Sequence, residues 1–147
     1  MKPLTTTALQ LYAFDAAPPD PAGLKVLHIA NDAEIAELAA QNAFDGVDRI
    51  ELNFPKFTDG RAYSQAVLLR RRYRFAGDLR ATGDVLIDLL VHMHRSGFSS
   101  AVLAEGANAA AAERQFARYA AFYQGDVNEP RPLFAREAIQ DEVLKAA

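Results

Sequence analysis

At 147 residues, half of them apolar and 24% charged, the chain has the size and make-up of one globular domain. Such a domain buries roughly 70% of its unfolded surface and needs no metal or disulfide to hold it together. The net charge of −3 argues against a dedicated nucleic-acid binder, and the absence of cysteine excludes disulfides, thiolate nucleophiles, Cys-ligated zinc and all-Cys iron–sulfur clusters.

The opening MKPLTTTALQLYAF is too polar for the core of a signal peptide, and no run approaches the roughly 18 apolar residues of a membrane span. The expectation is a cytoplasmic protein with no membrane contact. Residues 1–23 read as an irregular N-terminal segment, with an extra strand at 8–14 running into a proline-punctuated loop, AFDAAPPDPAG, at 13–23. Four times thereafter a β-rich segment leads into an amphipathic helical one. LKVLHIA (24–30) precedes NDAEIAELAAQNAF, and RIELNF (49–54) precedes DGRAYSQAVLLRRRY. DLRATG (78–83) precedes DVLIDLLVHMHRSG, and SAVLAE (100–105) precedes NAAAAERQFARYAAFYQG. This alternation predicts βαβ units around a parallel sheet.

Helix boundaries carry their own signals. Asn31 with Glu34 three residues on has the pattern of a capping box, and Asp59 and Asn108 stand where the second and fourth helices need N-caps. Gly97 and Gly125 follow the third and fourth helices as left-handed C-caps would. Periodicity then selects the buried stripes: Ala62, Ala66, Leu69 and Tyr73; Val85, Leu86, Leu89, Leu90 and Met93; and Phe116, Ala120 and Tyr123. DVNEPRPLF (126–134) is a second proline-rich loop, opening a C-terminal extension over 126–147 with a last helix at 135–145.

These elements predict a single α/β domain over 1–147, with four consecutive βα units and a mainly parallel sheet. Strands buried on both faces would be almost continuously apolar. Here Ile50, Leu52 and Phe54 alternate with Glu51 and Asn53, and Leu79 and Ala81 with Arg80 and Thr82, so one face is polar. That pattern suits a half-barrel-like sheet whose polar side lines a cavity or meets a second copy as a homodimer; an open three-layer sheet is the alternative.

In parallel α/β sheets ligands bind beyond the carboxyl ends of the strands. There NFPKFTDGRAYSQA, residues 53–66, supplies the largest group of polar side chains. Lys56, Asp59, Arg61, Tyr63, Ser64, Arg80 and Asp84 are the candidate anion-binding or recognition residues. Arg61 in the first turn of a helix opposes the helix dipole and calls for a reason. It either joins Lys56 and Arg80 in an anion pocket, pairs structurally with Asp84 or Glu51, or faces another protein. Asp59-Gly60 reads as a cap and a tight turn, and Asp84 as a cap before a general base. His92 and His94 lie two apart on a helix and diverge, so no metal site is expected. Arg70, Arg71, Arg72 and Arg74 in LRRRYR form either a solvated face or a basic patch for an acidic protein. No phosphate cradle of either usual glycine-rich form and no G-x-S-x-G elbow is present, and no cofactor is expected.

The segment 53–98 resembles a bacterial family of unknown function. Its pattern F-P-x-F-x-D-G-R-x-Y-S-x-A, G-x-L-R-A-x-G-D-V-L-x-D and R-x-G-F is met from Phe54 through Asp59, Gly60, Arg61, Tyr63 and Ser64, then at Gly77, Arg80, Gly83, Asp84 and Asp88, and at Arg95, Gly97 and Phe98. The chain departs from it at Asn53, Val67 and Leu89, where Asp, Arg and Gln are expected. Members are described as probable oxidoreductases of sulfite reduction because their genes sit beside those of sulfite reductase. The resemblance therefore implies a link to sulfur assimilation, with sulfite reductase or a related protein as partner. With no cysteine and no cofactor motif, the residues favour an accessory or binding protein without redox chemistry of its own. The alternative is a small-anion site for sulfite, sulfate or phosphate, with Asp59 or Asp84 as base.

Overall fold

The computed structural model describes residues 4–5 and 9–136. In chain order the strands are β1 (Leu4–Thr5), β2 (Gln10–Tyr12), β3 (Val26–Ile29), β4 (Arg49–Phe54), β5 (Asp78–Gly83) and β6 (Ser100–Val102). The helices are α1 (Ile35–Ala40), α2 (Arg61–Arg71), α3 (Leu90–Ser96) and α4 (Ala112–Ala117), and 3₁₀ turns at 87–89 and 109–111 lead into α3 and α4. Spatial order in the sheet is β1-β2-β6-β5-β4-β3. Strands β2, β6, β5, β4 and β3 are mutually parallel, and β1 adds an antiparallel edge. The fold is α/β around a five-strand parallel sheet, as the strand–helix alternation predicts.

Topology explains the polar face. From β3 to β6 each strand lies beside its predecessor, so right-handed crossovers put the helices on one side. The core is correspondingly one-sided: Ile50, Leu52, Phe54, Leu79, Ala81 and Ala101 pack with Ala62, Ala66, Leu69, Val85, Leu90 and Met93. This is the singly wound order of a half-barrel rather than a sheet with helices on both faces. The step from β2 to β3 runs the other way, from one side of the four-strand run to the other, and the same handedness sends residues 13–25 over the opposite face. There Asp20 pairs with Arg49, Arg49 Nε lies 3.0 Å from Glu51 Oε1, and Glu51 reaches His28 at 3.1 Å. Beside them Arg80 stacks 4.7 Å from the ring centre of Tyr12 and donates to Ser100 Oγ at 3.0 Å.

Several expected boundaries shift. The strand expected at 8–14 appears as β2. Helix α1 starts only at Ile35 with Glu34 at its N-cap and no side-chain cap bond, because the Asn31 side chain is committed elsewhere. Asn108 does cap, but it caps the 3₁₀ turn, accepting from Ala110 N. Gly97 is a left-handed C-cap at φ 111°. The fourth helix ends at Ala117, well short of Gly125, so Ala120 and Tyr123 leave the buried stripe and Tyr123 is 80% exposed. Aromatics past Ala117 find other partners instead: Phe122 lies under Arg95 of α3, and Tyr123 meets Phe134 in the returning loop. The helix expected at 135–145 falls largely outside the described residues.

Candidate functional site

The turn between β4 and α2 is built by Asp84. Its backbone N–H donates to Phe54 O at 2.8 Å, and its carboxylate accepts from Phe57 N at 2.8 Å, so residues 54–57 arch over one anchor. Gly83 makes that approach feasible. Its φ is +91°, and a Cβ there would collide with the Phe54 carbonyl. Asp59 N then donates to Lys56 O at 2.9 Å, closing the turn. Gly60, by contrast, has φ −85° and room for a Cβ, so the turn does not draw on glycine's conformational freedom.

Arg61 pairs with Asp59, and neither Asp84 nor Glu51 takes part. The guanidinium grips the carboxylate with Nε at 3.0 Å and Nη2 at 2.8 Å, while Arg61 N donates to Asp59 Oδ1 at 3.2 Å. Asn31 Nδ2 donates to the other carboxylate oxygen at 2.6 Å. The Arg61 side chain foremost, then its backbone N–H, holds the Asp59 carboxyl down at about 2. A carboxyl that acidic is a poor proton acceptor near neutral pH. The pair also cancels the cation that an anion would need.

The remaining candidates divide. Lys56 and Phe57 are exposed on the turn, Phe57 by 49%. Tyr63 turns inward, edge-on to Phe54 at 5.0 Å and 4.1 Å from the His92 ring centre. Its hydroxyl is buried without a partner among the described residues, and burial pushes it up from the usual tyrosine value. Ser64, Arg61, Asn31 and Gln65 line a cleft of about 250 Å³ between the β3–α1 loop and α2. Arg80 is not part of this group: it sits mid-strand on the polar face, 3.4 Å from Asp78, with the sheet between it and α2. Asn53, one of the departures from the family pattern, is exposed at the end of β4 and pairs in register with Thr82.

Gln65 goes unnoticed in the sequence, and Asn31 and Arg70 play parts other than those expected of them. Gln65 is buried within the apolar stripe of α2 and donates to Ala30 O at 2.9 Å and Ala33 O at 3.0 Å, fixing the cleft wall. A glutamine three residues after Ala62 and one before Ala66 was the signal. Asn31 is held by Asp59 rather than by a helix end. Arg70, read as part of a solvated or docking face, instead donates to the carbonyls of Phe75, Gly77 and Gly97. Among the described residues no group of three or more His, Asp or Glu side chains is arranged to hold a metal, and no helix is long and apolar enough to cross a membrane.

No curated protein and no solved structure matches the chain. A family profile does, from the first residue of β3 to the loop beyond α4, residues 26–134, which includes the whole turn and its supports. The chain belongs to that family, described as bacterial protein of unknown function (DUF934).

Proposed function

We propose that the protein is an accessory binding protein of the sulfite-reduction machinery, with no redox chemistry of its own, and that the turn from Phe57 to Ser64 is its recognition surface. One observation carries this reading: Phe57 stands half exposed on a turn pinned at Asp84 and Asp59, while Arg61 beside it is paired with Asp59. An exposed aromatic on a preorganised backbone suits protein recognition, because little entropy is lost on binding. The link to sulfite reduction is supported by the resemblance in segment 53–98 alone. The test is association with purified sulfite reductase subunits. Phe57→Ala should weaken it by about tenfold or more, the scale of an interface hot spot, at unchanged melting temperature. No association at micromolar concentration, or equal binding by Phe57→Ala, overturns the proposal.

A second reading, a small-anion site, is favoured by the 250 Å³ cleft that Arg61 and Ser64 line. It requires thermal stabilisation by sulfite, sulfate or phosphate over chloride. The Asp59 pairing weighs against it.

A further inference from the structure

A second cavity, of about 290 Å³, lies away from this turn, between α3 and the chain that follows α4. Its apolar wall comes from Phe116, Tyr119 and Phe122. Its polar groups are nearly all satisfied. Arg95 pairs with Asp126 at 3.2 Å and lies 4.1 Å over the Phe122 ring. The Asp126 carboxylate also accepts from Asn128 N and Glu129 N, each at 2.8 Å. Glu129 is matched by Arg131.

Two donors are left over. The first is His94. Asn128 Nδ2 donates to His94 O at 2.8 Å, which fixes that nitrogen as the donor facing His94 Nε2 at 3.3 Å. The ring must therefore accept at Nε2 and carry its proton on Nδ1, and Nδ1 is buried with no partner among the described residues. The second is Arg136, whose Nε is likewise buried and unpartnered, and whose guanidinium has no ion-pair partner among the described residues. Both nitrogens belong to side chains that line the cavity. Both carboxylates in the lining have a cation, so among the described residues the charge of the cavity left without an opposite one is Arg136.

We propose that this cavity binds a small organic carboxylate with a planar apolar body, its oxygens taking the His94 Nδ1–H and Arg136 donors and its body lying against Phe116, Tyr119 and Phe122. The chemistry is complementary throughout. Aromatic walls take the body, a neutral N–H and an unpaired guanidinium take the charge, and the volume is near the lower end for ligand cavities of roughly 300–1,000 Å³. A short side-chain adjustment brings each nitrogen to the ligand, as catalytic and binding contacts commonly tighten only in the complex. The site is independent of the Phe57 turn, and its failure leaves the recognition proposal untouched.

Benzoate is the probe. Nitrogen-15 spectra of the histidine rings, recorded during a benzoate titration, should show saturable movement of the His94 Nδ1 signal, with benzamide and acetate much weaker. His94→Gln and Arg136→Gln should each reduce benzoate affinity about tenfold, the loss of roughly one charge-assisted hydrogen bond. Absence of a saturable shift in the unmodified protein overturns the proposal. So does equal binding of benzamide, or an Arg136→Gln protein that binds benzoate as before. If His94→Gln fails to fold, the titration of the unmodified chain and the Arg136 variant decide between the outcomes.

Discussion

Arg70→Met is the perturbation that tests the reading of the basic run in α2. The guanidinium donates to Gly97 O at 2.8 Å, Phe75 O at 2.7 Å and Gly77 O at 2.8 Å, joining the end of α2 to the chain entering β5 and β6. Methionine keeps much of the buried stem and removes only the donors. Three part-buried carbonyls then lose a charged partner. At about 1 kcal/mol each after allowing for partial access to water, the loss is roughly 3 kcal/mol. A domain with roughly 5–15 kcal/mol of stability still folds, so the change is measurable at equilibrium. Urea unfolding followed by circular dichroism should show a lower midpoint at unchanged slope, the mark of a stability change without a change in surface exposed. Arg74→Met is the control, since Arg74 is exposed, and should shift stability by less than about 0.5 kcal/mol. Equal effects of the two substitutions would refute the structural role and restore the whole run as a solvated or docking face.

Two further outcomes follow from the electrostatics. Burial holds His94 below the usual 6.5, outweighing the opposing pull of Asp126, and burial with Arg95 does the same to His92. The unfolded chain therefore binds these protons more tightly, so stability is full above pH 6.5 and declines as pH falls below it. Thermal melts below that pH should show the decline, reduced in His94→Gln; a flat profile contradicts the burial of these rings. Asp59→Asn releases Arg61 from its carboxylate, and should create stabilisation by sulfate over chloride that the unmodified protein lacks. If the unmodified protein already responds equally to sulfate, Arg61 is not neutralised as the geometry requires.

Much of the site was legible because backbone chemistry announces it. The alternation of β-rich and helical runs gave the parallel sheet, and the strand ends then located the turn at 55–60. Asn108 and Gly97 capped where their side chains, or lack of one, suit the termini. The period-two pattern in β4 and β5 gave a sheet polar on one face, because strand side chains alternate whatever lies above them.

Partner choice was not legible, because a charge in sequence carries no direction. Whether Arg61 meets Asp59, Asp84 or Glu51 depends on where the α2 terminus lies against the loop after β3, and Asn31 is drawn there too. Arg80 was grouped with Arg61 by proximity to one rim, yet alternation along β5 sends it through the sheet to Tyr12 and Ser100. Arg70 looked like its arginine neighbours until the strand entrances lay under it. The fourth helix looked continuous to Gly125, since Ala120 and Tyr123 keep its period; tertiary contacts of Arg95 with Phe122 and Asp126 draw that chain into the wall of a cavity instead. The sequence by itself determined the elements and the polarity of the sheet, which depend on residues near each other in the chain. Only the tertiary structure decided which charges cancel and which donors remain, since that depends on groups tens of residues apart meeting within 3.2 Å.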